Sequence, residues 1–176
     1  MVSYAKTLVI RSIDEEFNKV AEQIIQTKLP KGFTDFALYV LSELIANVKE
    51  HARAKKVVLH VKLDRQRLSL NIQDDGIGFR ESYLSKKIYP KDDFAAIELA
   101  LSGLSTKNSQ ERGYGLYSTR RLVEATQGAL IVQSGNALAQ ISENKISFRK
   151  SSQKRNGVGI QIQAKVQPVA LYRYIE

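Results

Sequence analysis

The chain has 176 residues, of which 43% are hydrophobic and 26% charged, with no cysteine, two histidines and a formal net charge of +9. That length and balance fit a single domain over 1–176 with a core of ordinary size, and the residue inventory excludes disulfides, a thiolate metal site and an unaided zinc cage. The N-terminal stretch lacks an apolar secretory core and no window approaches the roughly 18 apolar residues of a membrane span, so a soluble cytoplasmic protein without a membrane partner is the expectation.

The first elements are short. Residues 7–12 read as a strand and 14–27 as an amphipathic helix, with Phe17, Val20, Ala21, Ile24 and Ile25 at helical spacing. A second helix is expected from an N-cap at Thr34 or Asp35 to about His51, burying Ala37, Val40, Leu41, Leu44, Ile45 and Val48. Strands at 57–63 and 67–74 form a hairpin, since Leu68, Leu70 and Ile72 alternate with polar residues, as on a half-wet antiparallel sheet. The stretch 79–112 is less regular, apart from a helix over 93–102 and a polar, mobile loop from Gly103 to Arg112. A further helix opens at Gly115 and ends at a Gly128 C-cap. Strands at 129–133, 137–141, 146–148 and 158–166 close the chain. The reading is an α/β (α+β) two-layer sandwich, a mixed, mostly antiparallel sheet with helices on one face.

Three short motifs stand out. Glu43, Asn47 and His51 lie four residues apart, and four residues advance only about 40° around a helix, so they share one polar strip beside the apolar stripe. An ordinary solvent-facing row would look the same. At the end of a strand, Asp74-Asp75-Gly76-Ile77-Gly78 offers an acceptor for an exocyclic amine and two glycines that let backbone approach a flat ligand; a plain Asp-Gly turn shares this pattern. Gly113-Tyr114-Gly115-Leu116 precedes a helix whose free amides favour phosphate oxygens. The P-loop and Rossmann patterns are both absent.

Taken in order, Glu-x-x-x-Asn-x-x-x-His-Ala, Asp-x-Gly-x-Gly and Gly-x-Gly-Leu resemble the GHKL ATPase superfamily, and the resemblance runs over 8–166 of this chain. It implies a Bergerat-type fold and an ATP site with Mg²⁺. Asn47 would ligate the metal and Asp74 would recognise adenine. Gly76 and Gly78 would line the base, and Gly113, Gly115 and Leu116 would close on the phosphates. Ser105-Thr106-Lys107 resembles the lid of anti-sigma-factor kinases, which makes Thr106 and Lys107 nucleotide contacts. Glu43 corresponds to the general base. His51 would be structural or at the edge of the site.

No phosphoacceptor hairpin precedes the Asn-box helix within the sequence, and neither His51 nor His60 sits like an acceptor. The layout is most similar to stand-alone anti-sigma-factor serine kinases. Val158, where many relatives carry Thr, and the basic loop expected over 149–155 depart from that subfamily. The implied function is a regulatory protein serine/threonine kinase, with a non-catalytic ATP/ADP-gated binding module as the alternative. The implied partner is a regulatory protein, such as a sigma factor or an anti-anti-sigma-like protein, and a homodimer is compatible with the sequence. Nucleic acid ranks last, because the basic residues are scattered and few aromatics lie among them.

Overall fold

A computed structural model describes residues 1–103 and 115–175. Strand β1 (Val2–Val9) leads through a short 3-10 turn into α1 (Ile13–Ile25), followed by α2 (Phe33–Asn47), β2 (Lys56–Leu63), β3 (Arg67–Asp74), α3 (Gly78–Leu84), α4 (Asp93–Leu101), α5 (Gly115–Ala125), β4 (Ala129–Ser142) and β5 (Lys145–Lys165). The five strands form one open sheet in the order β1-β2-β3-β5-β4, and all four pairings are antiparallel.

Alternation decides which face is covered. Val57, Leu59, Val61 and Leu63 of β2, Leu68, Leu70 and Ile72 of β3, Ile160 and Ile162 of β5, and Leu130 and Val132 of β4 are all buried. The other face shows His60, Lys62, Gln161 and Gln163 to solvent. Against the apolar face lie α1, through Ile13, Val20 and Ile24, and α2, through Phe33, Phe36, Val40, Leu41 and Leu44. The Phe33 and Phe36 rings meet at 5.0 Å between centroids and 52° between planes, a tilted contact that adds about 0.5–1.5 kcal/mol beyond the area it buries. Glu16 joins α1 to β1, accepting from Tyr4 Oη at 2.6 Å and from Lys6 and Lys19 Nζ, each at 2.9 Å. These donors hold its carboxyl well below the usual range, at about 2.

Several expectations change. The first strand is 2–9 rather than 7–12, because all eight residues pair with β2. Helix α2 begins after Gly32, which is left-handed at φ 77°, and not after a Thr34 or Asp35 cap; a β carbon at Gly32 would strike the Val169 carbonyl. The α-helical part of α2 stops at Asn47, and Val48–Ala52 is a wider π turn. The irregular 79–112 stretch contains α3. At the end of α5 the left-handed residue is Gln127 (φ 53°) and not Gly128; Gly128 instead donates its N–H to Val123 O and passes so close to the Gln163 carbonyl that no side chain fits.

The largest change concerns the C-terminal strands. The four short strands expected after 128 are two long ones, and the basic 149–155 segment is part of β5 rather than a loop. Register shifts at Ser134, Gly135 and Ala137 break the pair. A straight strand over 129–142 would separate its ends by roughly 43 Å, yet Ala129 and Ser142 border one groove with Gly128 and Lys165. The distal half of the hairpin, 137–150, therefore folds back as an arm. Its inner residues Ala137, Ala139 and Ile141 are at most 1% exposed, and α4 packs on β4.

Candidate functional site

Asp74 ends β3 with its side chain on the covered face of the sheet, 6% exposed. Two backbone amides reach its carboxylate: Gly76 N donates to Oδ1 at 2.9 Å and Val158 N donates to Oδ2 at 3.2 Å. Burial pushes its carboxyl above the ordinary value, and the two amides pull the other way. Next to it, Asp75 points outward and accepts from Lys55 N at 2.8 Å and Lys56 N at 2.9 Å, so its carboxyl is held below the ordinary value by hydrogen bonds to backbone. One aspartate is kept at the site, whereas the other latches β3 to the start of β2.

The glycines around Asp74 answer to steric limits. Gly157 has φ 75°, and a β carbon there would run into Asp74 and the Gly76 amide. At Gly76 the obstacle is the carbonyl of Ala52, which also accepts from Ile77 N at 2.8 Å. The π turn after α2 thus seats its last carbonyl on the Asp-Gly turn. Gly78, at φ 76°, lies against Ser134 Oγ, and that hydroxyl accepts the Phe79 N–H at 3.0 Å.

A second cluster lies where α2 faces α5. Glu43 and Asn47 are half-buried on one strip, and a β carbon built on Gly115 would collide with Glu43 Oε2 and stand 3.8 Å from Asn47 Nδ2. The absence of a side chain at 115 is what lets the start of α5 close on this pair. One turn before Glu43, Tyr39 is hydrogen-bonded to Ser118, and burial, followed by the nearby Glu43 charge, raises its hydroxyl pKa. Leu116 is 6% exposed and belongs to the core. His51 lies in the π turn with Nε2 3.7 Å from Glu50 Oε2.

The structure therefore brings Glu43, Asn47 and Gly115 into one cluster and Asp74, Gly76 and Gly78 into another, with the π turn running from the first to the second. Thr106, Lys107 and Gly113 lie outside the described residues, as does most of the expected lid. Sequence reasoning missed Tyr39, Ser118, Ser134 and Gly157. The Tyr39-x-x-x-Glu43 spacing was the available signal for the first; the others act across the fold and leave no local pattern. Among the described residues no group of three or more His, Cys, Asp or Glu side chains could hold a metal, and no helix is long and apolar enough to cross a membrane.

Over 170 residues the chain is 25% identical to the chemotaxis protein CheA of Borreliella burgdorferi, a match covering 80% of this chain and 20% of that protein. It is 36% identical over 61 residues to the sensor protein VraS of Staphylococcus saprophyticus, covering 35% of this chain and 18% of the relative. The chain thus spans about a fifth of the length of these relatives. The mycobacterial sensor histidine kinase MprB aligns over 94% of this chain and all of its own, at 14% identity and a TM-score of 0.46. The histidine kinase-, DNA gyrase B- and HSP90-like ATPase family matches residues 33–167, which hold Glu43, Asn47, Asp74 and Gly115, and the chain belongs to that family.

Proposed function

We propose that this ATPase-family domain binds Mg-ATP in the cytoplasm and transfers its γ-phosphoryl group to a serine or threonine of a regulatory protein, as anti-sigma-factor kinases do. The observation that carries the reading is the closure of Gly115 on Glu43 and Asn47, because it sets a carboxylate, an amide and a helix N-terminus at one place. In this reading Asp74 accepts the adenine amino group, with Gly76 and Gly78 beside the base. Gly113, Gly115 and the Leu116 amide face the phosphates, and Thr106 and Lys107 approach them from the lid.

The described residues offer Asn47 as an oxygen ligand beside a carboxylate, a set that suits Mg²⁺ completed by nucleotide phosphates and water. When bound, the ion would neutralise phosphate charge. Glu43 would accept the proton of the incoming hydroxyl as its oxygen bonds to the γ-phosphorus and the bond to ADP breaks. Incubation with labelled ATP and candidate partners tests this: label appears on a partner serine or threonine with the native protein and is lost with Glu43→Gln. Equal transfer by both proteins overturns the role of Glu43.

A second reading, an ATP/ADP-gated clamp without transfer, is favoured by Gly115 joining α5 to α2, since a nucleotide that orders this seam would shift a binding equilibrium. It predicts partner affinity that differs between ATP, ADP and no nucleotide, and affinity independent of nucleotide excludes it.

A further inference from the structure

From Asn144 to Ile175 the chain carries seven Lys or Arg and no Asp or Glu. Three of the seven, Lys145, Arg149 and Lys150, lie on the folded-back arm, and Lys154 follows it. Along 145–150, β5 pairs with β4 only; its other edge has no strand beside it among the described residues. Lys145, Arg149, Lys150 and Lys154 are all exposed, and none is paired with a carboxylate among the described residues. Arg155 is occupied differently, reaching Gln73 and Gln133 on the open face of the sheet.

The arm is also two-faced. Ile146 stands opposite Ile141, Phe148 opposite Ala139 and Lys150 opposite Ala137, and directly opposed residues share a face. The β4 members of that row are covered, whereas Ile146 is 37% and Phe148 41% exposed. Lys145, Ser147 and Arg149 alternate onto the outer face. The edge therefore offers an unpaired backbone, with Ile146 and Phe148 followed by Lys150 on one face and Lys145 and Arg149 on the other.

We propose that this edge is a docking site for an extended acidic segment of a partner protein, which adds a strand beside 145–150 with apolar residues against Ile146 and Phe148 and carboxylates against Lys145 and Arg149. Main-chain pairing supplies affinity and the alternating side chains supply selection in such complexes. A second copy of this chain is disfavoured as occupant, because two arms would juxtapose their lysines, the means by which edge strands resist self-pairing. Nucleic acid would use the cations but neither the free backbone edge nor the apolar pair. The proposal stands independently of the nucleotide reading.

The test uses the whole ¹⁵N-labelled protein without nucleotide and a peptide of alternating Glu and Val. Expected are amide shifts confined to the arm, affinity weakened about tenfold or more by Lys145→Glu with Arg149→Glu, and loss of binding when alternate peptide nitrogens are methylated. Phe148→Thr, which keeps strand propensity, is a second variant and also weakens binding. All variants keep the native ¹⁵N amide dispersion outside the arm, which shows that they are folded. The proposal is overturned by any of four results: no binding, equal binding of the methylated peptide or of a Lys-Val peptide, unchanged affinity in the charge-reversed variant, or duplex DNA binding the same residues more tightly than the peptide.

Discussion

The two ends of the candidate site are built from different materials. Around Asp74 the structure is backbone: amides from Gly76 and Val158 grip the carboxylate, and Gly157 leaves no room for a β carbon. Along the α2–α5 seam it is side chains, Tyr39, Glu43 and Asn47 meeting Ser118 and the bare Gly115. Backbone cannot change its chemistry by mutation, so the first end suits a fixed recognition task. Side chains can be exchanged on an unchanged helix, so the second end is where activity can be gained or lost while binding persists.

The sharpest break between the two ends is expected from Glu43→Gln. If Glu43 is the base, phosphoryl transfer falls roughly 10²- to 10⁴-fold while ADP affinity in a calorimetric titration stays within about threefold. Loss of both together would merge the two ends into one. Next comes Gly157→Ala, which forces a side chain into a left-handed position against Asp74; about 2–4 kcal/mol of stability is lost in urea unfolding, together with nucleotide binding. The same substitution at Gly115, where φ is not the constraint, costs less if Glu43 can swing away.

Asp74→Asn removes a charged acceptor, and adenine-nucleotide affinity drops about 10- to 100-fold. Two opposed effects then act on stability: the amide NH2 cannot accept from one of the two backbone N–H groups that the carboxylate satisfies, and the buried charge is gone. Burial raises the carboxyl pKa of Asp74, so its ionised form opposes folding above the folded pKa, and the amide removes that cost. The same sign governs pH. Acidification protonates Asp74 at a higher pH than an ordinary carboxyl, so ADP affinity in the native protein falls early in an acid titration and this step vanishes in Asp74→Asn. Asp75 and Glu16 behave in the opposite way. Their lowered values mean that their stabilisation is present above the ordinary carboxylate range and is lost as pH falls toward their folded pKa values, for Glu16 at about 2. The smallest effect is expected at Tyr39→Phe, about 0.5–1.5 kcal/mol in thermal unfolding for one hydrogen bond to Ser118, with transfer altered less than by Glu43→Gln.

Much of this was legible along the chain because the signals are local. The stripe Ala37, Val40, Leu41, Leu44 and Ile45 marked α2, and the alternation of Leu68, Leu70 and Ile72 marked β3; each follows from the period of one element. The three motifs indicated the ATPase family in the same way. The arm was not legible. Residues 145–150 are exposed on both faces, so no buried alternation distinguishes that stretch of strand from a basic loop, and α3 is too short to establish a helical period.

By itself, then, the sequence determined the motif order, the main helices and the β2–β3 hairpin, and it singled out the candidate site residues, because these depend on side-chain type and near-neighbour spacing. Only the tertiary structure decided that Val158 N–H closes on Asp74 from 84 residues away, that Gly115 is bare to admit Glu43, and that the C-terminal hairpin turns back with a charged edge outward. Those outcomes rest on register between strands and on the space left between elements, and neither quantity is written in the period of any one segment.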